Sequence, residues 1–497
     1  MTRFTSVGIM KNALLAITRR CQADGDTHLN VALDIIAEKR NNACVICRIS
    51  AYLVRLILSV GAGVFGTTTD AIQRELDDVL FRRSMSSIVS GLARFGVNKP
   101  FTPGAPFQVV WNVTRACNLK CKHCYENAGR KGTDELSTED AIRTVDRLAD
   151  AGVVFLAFSG GEPTVRPDIL TLIRRAAQRG MYVAVATNGT TFSNPDRVRL
   201  FKNAGMKFVQ VSLDGADAKT HDEFRGLPGA FERTIRGIKN CVAEDLFVEV
   251  SSTVTHHNIG EIHDIIRLCE DLEVRWLMFY NLVPVGRGKE LIDTDPNPDE
   301  REYLLQVLWD RINSPQKSPL EVLTTAPQFG RFAYDANSHG VTHDEIVSPT
   351  HFSNVRLPAQ MTSLTEFIGG CGAGRFYVAL EPNGDIYPCV FFPHTEPMRI
   401  GNIMTDDFES LWVHSTLLNR LRNKDLLKDH CGSCERRYVC GGCRARAISY
   451  FGDELAPDPG CVNNREYWDR LAGSCTSELE FLMRVSNNES QASYSGK

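Results

Sequence analysis

Cys117, Cys121 and Cys124 form a Cys-x3-Cys-x2-Cys group directly after a strand-like run. Three thiolates on one short loop can bind three irons of a 4Fe–4S cluster, and the fourth iron then stays open to an exogenous ligand. A structural zinc site would need a fourth protein ligand. His123 is available in principle, but its position between two of the cysteines makes a strained chelate. The spacing therefore favours an iron–sulfur cluster with one open iron.

A second group of cysteines lies towards the C-terminus and has too many members for one metal site. Its seven residues are Cys371, Cys389, Cys431, Cys434, Cys440, Cys443 and Cys461. Four of them form a Cys-x2-Cys-x5-Cys-x2-Cys run, which by itself is also typical of a zinc ribbon. On spacing alone, zinc and iron–sulfur clusters both stay open for this group.

The remaining six cysteines are isolated or peripheral: Cys21, Cys44, Cys47, Cys241, Cys269 and Cys475. Buried cysteine commonly acts as a small hydrophobic residue, and this is our interpretation of these six. Cys44 and Cys47 form a Cys-x2-Cys pair, which is a weak signal for a metal or redox site.

The composition excludes several classes of protein. The 497 residues are 43% hydrophobic and 23% charged, a globular balance that excludes a largely disordered chain. With 56 basic and 60 acidic residues there is no basic excess for nucleic acid. The first 20 residues lack a signal-peptide pattern, so we expect a cytoplasmic protein. The apolar stretch 43–66 contains Arg48 and Arg55, which favours a buried or amphipathic helix over a membrane span.

Helix-period apolar residues predict a helical N-terminal domain over residues 1–100. The pattern is clearest in Leu29–Glu38 and Ile72–Leu80. Pro100, Pro103 and Pro106 mark the boundary that follows. The role of this domain is open.

Six strand-like runs alternate with helix-period segments over residues 107–285. The runs are Val109–Val113, Val153–Phe158, Val183–Thr187, Phe208–Leu213, Val248–Val254 and Trp276–Leu282. Ser137 is a predicted N-cap, and Gly152, Gly180 and Gly205 are predicted helix stops. This order predicts a parallel sheet of βα units that curls into a full or partial barrel. In such barrels the chemistry lies at the C-terminal ends of the strands.

Three further segments complete the predicted organisation. Residues 286–370 are expected to be a linker or insertion, with a helix at Asp299–Ile312 followed by loops. Residues 371–465 hold the second cysteine group. Residues 486–497, rich in serine and asparagine, are expected to be disordered.

The order of these motifs resembles the radical S-adenosylmethionine (radical SAM) superfamily, whose hallmark is the Cys-x3-Cys-x2-Cys loop after the first strand of a βα barrel. Ser159-Gly-Gly-Glu-Pro163 at the end of the second strand resembles the family's AdoMet-binding edge. The resemblance implies an α/β fold with a partial (β/α)6 TIM-like barrel. It also implies that Cys117, Cys121 and Cys124 bind the catalytic cluster, at which AdoMet is reductively cleaved to a 5′-deoxyadenosyl radical that abstracts hydrogen from a substrate.

The resemblance implies a set of AdoMet-binding residues as well. They are His123, Tyr125, Gly160, Gly161, Glu162, Asn188, Ser212, Asp214 and Arg225. In the family the Gly-Gly-Glu edge binds the methionyl amine, and the polar ends of the third and fourth strands line the ribose and carboxylate. Arg225 would approach the AdoMet carboxylate, with a solvated surface arginine as the alternative. Asn281–Gly288 would meet the adenine.

The C-terminal cysteines resemble the SPASM extension of the superfamily, which carries one or two auxiliary 4Fe–4S clusters. By the family's ligand pattern, the nearer cluster would be bound by Cys371, Cys389 and Cys443. The farther cluster would be bound by Cys431, Cys434, Cys440 and Cys461. No further cysteine lies between residues 371 and 389, which leaves the nearer cluster with an open iron or a non-cysteine ligand.

The stretches 440–447 and 452–459 look closest to the tetrapyrrole-modifying subgroup, the heme synthase and heme d1 enzyme group. That resemblance implies hydrogen abstraction from a propionate, with an auxiliary cluster taking up an electron as carbon dioxide leaves. Arg375, Arg444 and Arg446 either pair with substrate carboxylates or are structural. A ferredoxin- or flavodoxin-type protein would donate the electron. A peptide-modifying enzyme and a non-catalytic iron–sulfur electron carrier are the alternatives.

Overall fold

The computed structural model describes residues 8–64, 68–314, 318–339, 345–348, 350, 356–359 and 362–474. Cys475 and the tail 486–497 lie outside these residues. Elements are numbered below in chain order.

Five helices form an N-terminal bundle: α1 Gly8–Ile17, α2 His28–Ile36, α3 Val45–Val64, α4 Thr69–Glu75 and α5 Val79–Phe95. Leu29, Leu33 and Leu76 are among its buried core side chains. The prediction of one continuous helix over Ile72–Leu80 is wrong, because Asp78 separates two helices there. Its carboxylate accepts a hydrogen bond from the Phe81 amide at 3.0 Å and so begins α5.

Helix α3, Val45–Val64, lies within the apolar stretch 43–66. One face, with Val54 and Leu58, is buried in the bundle core. The opposite face is exposed and carries large apolar side chains, among them Ile49 and Tyr52. Of the helices in the described ranges, none combines the length and the apolar character that a membrane crossing needs.

The six predicted βα strands form the centre of one sheet. They are β1 Gln108–Asn112, β2 Phe155–Ser159, β3 Tyr182–Thr187, β4 Phe208–Ser212, β5 Phe247–Val254 and β6 Trp276–Asn281. Each is parallel to the next in chain order. The helices between and after these strands are α6 Thr138–Asp150, α7 Ile169–Gln178, α8 Pro195–Ala204, α9 Ala218–Arg225, α10 Ala230–Ala243, α11 Ile262–Asp271 and α12 Pro298–Ile312.

Local sequence accounts for several of these boundaries. The Ser137 hydroxyl accepts a hydrogen bond from the Asp140 amide at 3.2 Å and begins α6, as predicted. Gly152, Gly180 and Gly205 have φ values of +94°, +74° and +117° after three successive helices. A side chain is strained in that left-handed conformation, so glycine ends each helix at low cost.

Successive side chains along each strand point to opposite faces of the sheet, and each face packs in its own apolar layer. One side, with Val109, Leu156 and Val183, packs in the large core cluster together with helix residues such as Leu148 and Leu172. The other side faces the barrel interior, where aromatic rings fill one end. Phe155, Tyr182, Phe208, Phe247 and Trp276 pack there at centroid distances of 4.9–5.9 Å. The aromatic end closes the barrel at the side where the strands begin, so the strand C-termini form its open end.

The sheet is longer than the sequence pattern predicted. Where we expected loops after α12, β7 Glu321–Thr324 pairs in parallel with β6. At the other edge, β10 Tyr377–Leu380 pairs in parallel with β1. The remaining strands are β8 Glu345–Val347, β9 Arg356–Pro358, β11 Asp385–Tyr387 and β12 Gly401–Asn402. Short strands on edges carry too little periodicity to be seen in the sequence.

The C-terminal region is built from short helices around the cysteines. Together with α13 Gln328–His339, they are α14 Thr362–Ile368, α15 Phe408–His414, α16 Thr416–Arg422, α17 Asp429–Ser433, α18 Arg444–Phe451 and α19 Arg465–Ser474. Because β10 belongs to this region and also to the sheet, the second cysteine group is attached directly to the edge of the barrel. The N-terminal bundle is attached at another point, where Arg83 of α5 donates hydrogen bonds to the carbonyls of Ala149, Val153 and Arg179.

Candidate active site

The loop after β1 holds three cysteine sulfurs, and each of them accepts a hydrogen bond. The Leu119 amide donates to Cys117 Sγ at 3.4 Å and the Ala128 amide donates to Cys124 Sγ at 3.4 Å. The Arg225 guanidinium donates to Cys121 Sγ at 3.7 Å. Donors aimed at sulfur stabilise the thiolate, which is the form that binds iron. The loop therefore fits a cluster bound through three thiolates.

These cysteines open onto a cavity of about 140 Å³ at the C-terminal ends of the strands. Seven of the predicted AdoMet-binding residues line it with them: His123, Tyr125, Gly160, Gly161, Asn188, Ser212 and Arg225. Parallel strands bring their C-termini to one edge, and this places residues more than 100 positions apart in one wall. Asn281–Val283 and Arg287 also line the cavity, in the segment expected to meet the adenine.

The two glycines of the second strand end are required by the neighbouring loop. A Cβ on Gly160 would lie 2.5 Å from the Thr114 carbonyl oxygen, and one on Gly161 would lie 2.3 Å from that of Ala116. The Gly161 amide donates to the Thr114 carbonyl at 2.6 Å. Glycine thus lets the β2 edge pack against the backbone of the cysteine loop, which sets the position of the loop relative to the cavity wall.

Glu162 does not line the cavity; its carboxylate lies behind the wall. Oε2 accepts a hydrogen bond from the Asn188 amide at 2.8 Å, and Oε1 accepts from the Thr187 hydroxyl at 2.8 Å and from the Thr164 amide and hydroxyl. Burial raises the pKa of Glu162, and these donors oppose the shift. The geometry makes Glu162 a positioning residue that joins the ends of β2 and β3.

His123, Asp214 and Arg225 form a buried polar network beside the cysteine loop. Arg225 pairs with Asp214 at 2.5 Å, and His123 Nε2 lies 3.6 Å from the same carboxylate. Arg225 is 6% exposed, so the alternative of a solvated surface arginine is wrong. Burial lowers the pKa of His123 to about 4, which keeps the ring neutral at physiological pH. Its ring stacks on Phe224 at 4.3 Å between centroids.

Aromatic residues that the sequence reasoning missed form another part of the cavity wall. The Phe391 ring lies 5.1 Å from that of Tyr125 and 6.2 Å from that of Tyr280, between centroids. The Tyr125 hydroxyl is 3.1 Å from Ser159 Oγ. Tyr280 could have been found from its place on the inward side of a predicted strand. Phe391 follows Cys389 in a loop whose path the sequence does not reveal.

A buried acid pair lies next to Tyr125. Asn112 Nδ2 donates to Glu126 at 2.6 Å and to Glu381 at 2.9 Å, and His394 Nε2 lies 3.5 Å from Glu381. Burial, together with the neighbouring Glu381, raises the pKa of Glu126 well above its usual range. Burial and the close approach of the two carboxyl groups both favour the protonated form at this pair.

Glu249 is a further buried acid and lies on β5. Gln210 Nε2 donates to its carboxylate and to the Tyr280 hydroxyl, the latter at 2.9 Å. Burial raises the pKa of Glu249 from 4.5 to about 7, and the Gln210 hydrogen bond opposes the shift. Between those pH values the folded protein binds more protons at this site than the unfolded chain does. The free energy of unfolding therefore falls as the pH rises through this window.

We expect the Glu249→Gln variant to gain stability relative to the wild type when the pH is raised from 5 to 8. The raised pKa corresponds to a loss of roughly 3 kcal/mol in the wild type's free energy of unfolding between these pH values. The glutamine side chain does not titrate, so the variant does not lose this free energy. Thermal unfolding midpoints of both proteins at the two pH values measure the difference. Glu232→Gln, a change at an exposed glutamate of α10, is the control. A difference between variant and wild type that is equal at both pH values would contradict the prediction.

The C-terminal cysteines lie in two sets. Four of them line one small cavity: Cys431, Cys434, Cys440 and Cys461. The others, Cys371, Cys389 and Cys443, pack in one cluster of largely buried side chains. Within that cluster the Tyr377 hydroxyl donates to Cys389 Sγ at 3.4 Å. This is the same division that the resemblance implied, although the role of each cysteine as a cluster ligand stays a prediction.

Buried cations surround these two sets. Arg375 is 1% exposed, and its hydrogen bonds go to the carbonyls of Phe101, Ile368, Gly369 and Gly370. Burial lowers the pKa of Arg375 to about 9, and the nearby Cys371 opposes the shift. Lys424 is equally buried, with its pKa lowered to about 8 by burial and raised in part by Cys371 and Cys440. Buried cations without carboxylate partners are costly, and anionic clusters on these thiolates would offset that cost.

The hypothesis that Arg375, Arg444 and Arg446 bind substrate carboxylates is wrong. Arg444 donates to the carbonyls of Glu454 and Ala456. Arg446 pairs with Asp295 at 2.8 Å and with Asp458 at 3.2 Å, all three side chains being fully buried. All three arginines are buried and most of their donors are directed at protein groups, so their role is structural. One nitrogen of each side chain has no hydrogen-bond partner among the described residues.

Comparison with known proteins identifies the family. The Radical SAM superfamily profile matches residues 111–269, and that of SPASM, an iron–sulfur cluster-binding domain, matches residues 371–435. The AdoMet-dependent heme synthase of Methanosarcina barkeri is 34% identical over 360 residues, which are 72% of this chain and 97% of that protein. The chain belongs to the radical SAM superfamily. It is an enzyme that uses AdoMet radical chemistry and 4Fe–4S clusters, as the resemblance to the superfamily implied.

Two further comparisons support this assignment. The pre-heme d1 synthase of Dinoroseobacter shibae is 31% identical, over 71% of this chain and 85% of that protein. The crystal structure of Streptococcus suis SuiB bound to precursor peptide SuiA has a TM-score of 0.57 and 19% identity. The match covers 77% of this chain and 80% of that one and shows the shared fold. The predicted α/β barrel with a SPASM domain is thus confirmed.

Proposed function

We propose that this radical SAM enzyme oxidatively decarboxylates propionate side chains of a tetrapyrrole. One observation carries the proposal: a set of cysteines packs directly behind the aromatic wall of the cavity. Tyr125 and Phe391 line the cavity and pack in the same side-chain cluster as Cys371 and Cys389. An electron acceptor held by these cysteines would lie one side-chain layer from the substrate. The similarity to heme synthases supports the choice of substrate.

The electron balance of the reaction requires such an acceptor. When bound, the catalytic cluster and AdoMet supply a 5′-deoxyadenosyl radical, which takes one hydrogen atom from the substrate. Loss of one hydrogen atom and carbon dioxide converts a propionate to a vinyl group and releases one electron. Cys371, Cys389 and Cys443 would hold the group that accepts it. A ferredoxin- or flavodoxin-type protein would supply the electron that starts the next turnover.

The cavity residues suit a flat, anionic substrate. The rings of Tyr125, Tyr280 and Phe391 offer an apolar surface for a macrocycle. Arg287 also lines the cavity, and its hydrogen bonds go to oxygens of Cys121, Asn127 and Ala128, none of which is a carboxylate. Its positive charge is therefore available to a substrate propionate. Asn188, Ser212 and Arg225 would orient AdoMet on the opposite wall.

The test is anaerobic turnover of an iron coproporphyrin by the reconstituted full-length protein with AdoMet and dithionite. We expect 5′-deoxyadenosine and a porphyrin that has lost the elements of formic acid at one or more side chains, detected by mass spectrometry. The matched control is the methyl ester of the same porphyrin, which cannot lose carbon dioxide.

Other outcomes would redirect the proposal. Formation of 5′-deoxyadenosine with an unchanged porphyrin mass would reject the substrate and favour a peptide, while leaving the radical chemistry intact. Absence of 5′-deoxyadenosine from protein with a full complement of iron, with and without porphyrin, would favour a non-catalytic electron carrier.

A further inference from the structure

The N-terminal bundle contains a cluster of metal-binding side chains that the sequence reasoning did not assemble. Cys21, His28, Cys44 and Cys47 each offer one ligand atom, and all four atoms lie within 4.8 Å of one another. Cys21 Sγ is 3.6 Å from Cys44 Sγ, and His28 Nδ1 is 3.1 Å from Cys47 Sγ. Cys21, Cys44 and Cys47 are therefore not isolated from one another, and they also pack with Val31 in a small apolar cluster. Cys241 and Cys269, by contrast, are buried in the barrel core as expected.

These distances fit one tetrahedral ion better than the alternatives. Zn–S bonds of about 2.3 Å and Zn–N bonds of about 2.0 Å place ligand atoms less than 4 Å apart around a tetrahedron. An iron–sulfur cluster distributes its thiolates over two or more irons and needs a wider set. A disulfide would bring two sulfurs to about 2.05 Å, much closer than Cys21 and Cys44 lie.

The local backbone is arranged for a metal-binding turn. The Cys47 amide donates to Cys44 Sγ at 3.4 Å, so the Cys-x2-Cys segment directs an N–H group at a sulfur. Asp24 accepts a hydrogen bond from the Cys44 amide at 3.1 Å and pairs with Arg40 at 2.7 Å. This ion pair connects the turn of Cys21 to the segment between α2 and α3. The Asp24 carboxylate also accepts a hydrogen bond from Cys21 Sγ at 3.4 Å, so it joins the turn of Cys21 to the start of α3 at the ligand cluster.

The burial of the cluster matches a closed structural site rather than an open one. Cys47 is fully buried and Cys21 is 4% exposed, while Cys44 and His28 are partly exposed. The four ligands come from three segments: Cys21 from the turn after α1, His28 from the first residue of α2, and Cys44 and Cys47 from the start of α3. A metal ion at this point would join three helices of the bundle. The bundle has a small hydrophobic core of its own, so such a cross-link would add to its stability.

We infer that Cys21, His28, Cys44 and Cys47 bind one structural zinc ion. Three thiolates, a neutral imidazole and Zn²⁺ carry a net charge of −1. Arg40 brings a positive charge close to the site because it pairs with Asp24. The site is closed by four protein ligands, so it would stabilise the bundle and take no part in radical chemistry. It is independent of the proposed tetrapyrrole reaction.

The experiment measures zinc and iron together in full-length protein whose clusters have been reconstituted anaerobically. We expect about one zinc per chain in the wild type. Cys44→Ser should lower zinc about tenfold or more and leave iron unchanged. Cys241→Ser is the matched control, since it changes a buried cysteine outside the cluster and should keep the zinc.

A second variant protects the test against simple misfolding. His28→Cys keeps four ligands and should retain zinc, and its cobalt-substituted form should show stronger thiolate-to-cobalt charge-transfer absorption than cobalt-substituted wild type. Wild-type protein without zinc, or zinc that is undiminished in Cys44→Ser, would overturn the inference. Loss of iron instead of zinc in Cys44→Ser would also overturn it.

Discussion

Replacement of Cys117, Cys121 and Cys124 by alanine is expected to lower 5′-deoxyadenosine formation to background. The three sulfurs converge on one cavity, and each accepts a hydrogen bond from a neighbouring donor. Without them the loop has no thiolate for iron, so AdoMet loses the cluster that reduces it. The measurement is 5′-deoxyadenosine after incubation with AdoMet and dithionite, together with iron per chain.

The iron content makes this prediction specific. Three 4Fe–4S clusters contain about twelve irons, and the triple variant should lose about four of them. Cys241→Ala is the control, because that side chain is fully buried in the barrel core away from all three cysteine sets. Persistent AdoMet cleavage by the triple variant would reject the assignment of the catalytic loop.

Replacement of Cys440 by alanine is expected to separate AdoMet cleavage from substrate turnover. Cys440 lines the small cavity with Cys431, Cys434 and Cys461 and is buried. Losing one of four ligands should release about four irons from this site. AdoMet cleavage should continue because the cysteines of the catalytic loop line a different cavity from Cys440. Product formation should fall because the Cys371 amide donates to the Cys440 carbonyl at 3.3 Å, which places this set beside the proposed acceptor set, where it would carry the electron onward.

Iron per chain and the ratio of 5′-deoxyadenosine to product measure the second prediction. The iron readout does not depend on the identity of the substrate. Cys269→Ala, a change at a buried core cysteine of α11, is the control. Retention of all iron in Cys440→Ala would show that this cysteine is not a ligand. A parallel loss of AdoMet cleavage would show that the two regions do not fold independently.

Local sequence patterns were sufficient where a short segment defines its own structure. The six βα strands follow from apolar runs between capped helices, and Ser137 and Gly152 stand at the predicted helix ends. Local patterns failed at Asp78, where one side chain interrupts a continuous helical periodicity. They also failed at β7, a strand of four residues that forms only because the edge of β6 is available to pair with it.

The sequence by itself determined the family, the barrel and the cysteine loop, because spacing along a short loop and alternation along a strand are local properties. Only the tertiary structure showed that β10 attaches the second cysteine group to the barrel edge and places Phe391 in the cavity wall. Only the tertiary structure assigned Arg225 to a buried ion pair and Arg446 to a structural one. It also brought Cys21 and His28 to the Cys44–Cys47 pair. Contacts between residues distant in sequence depend on how whole elements pack, and no local pattern encodes that packing.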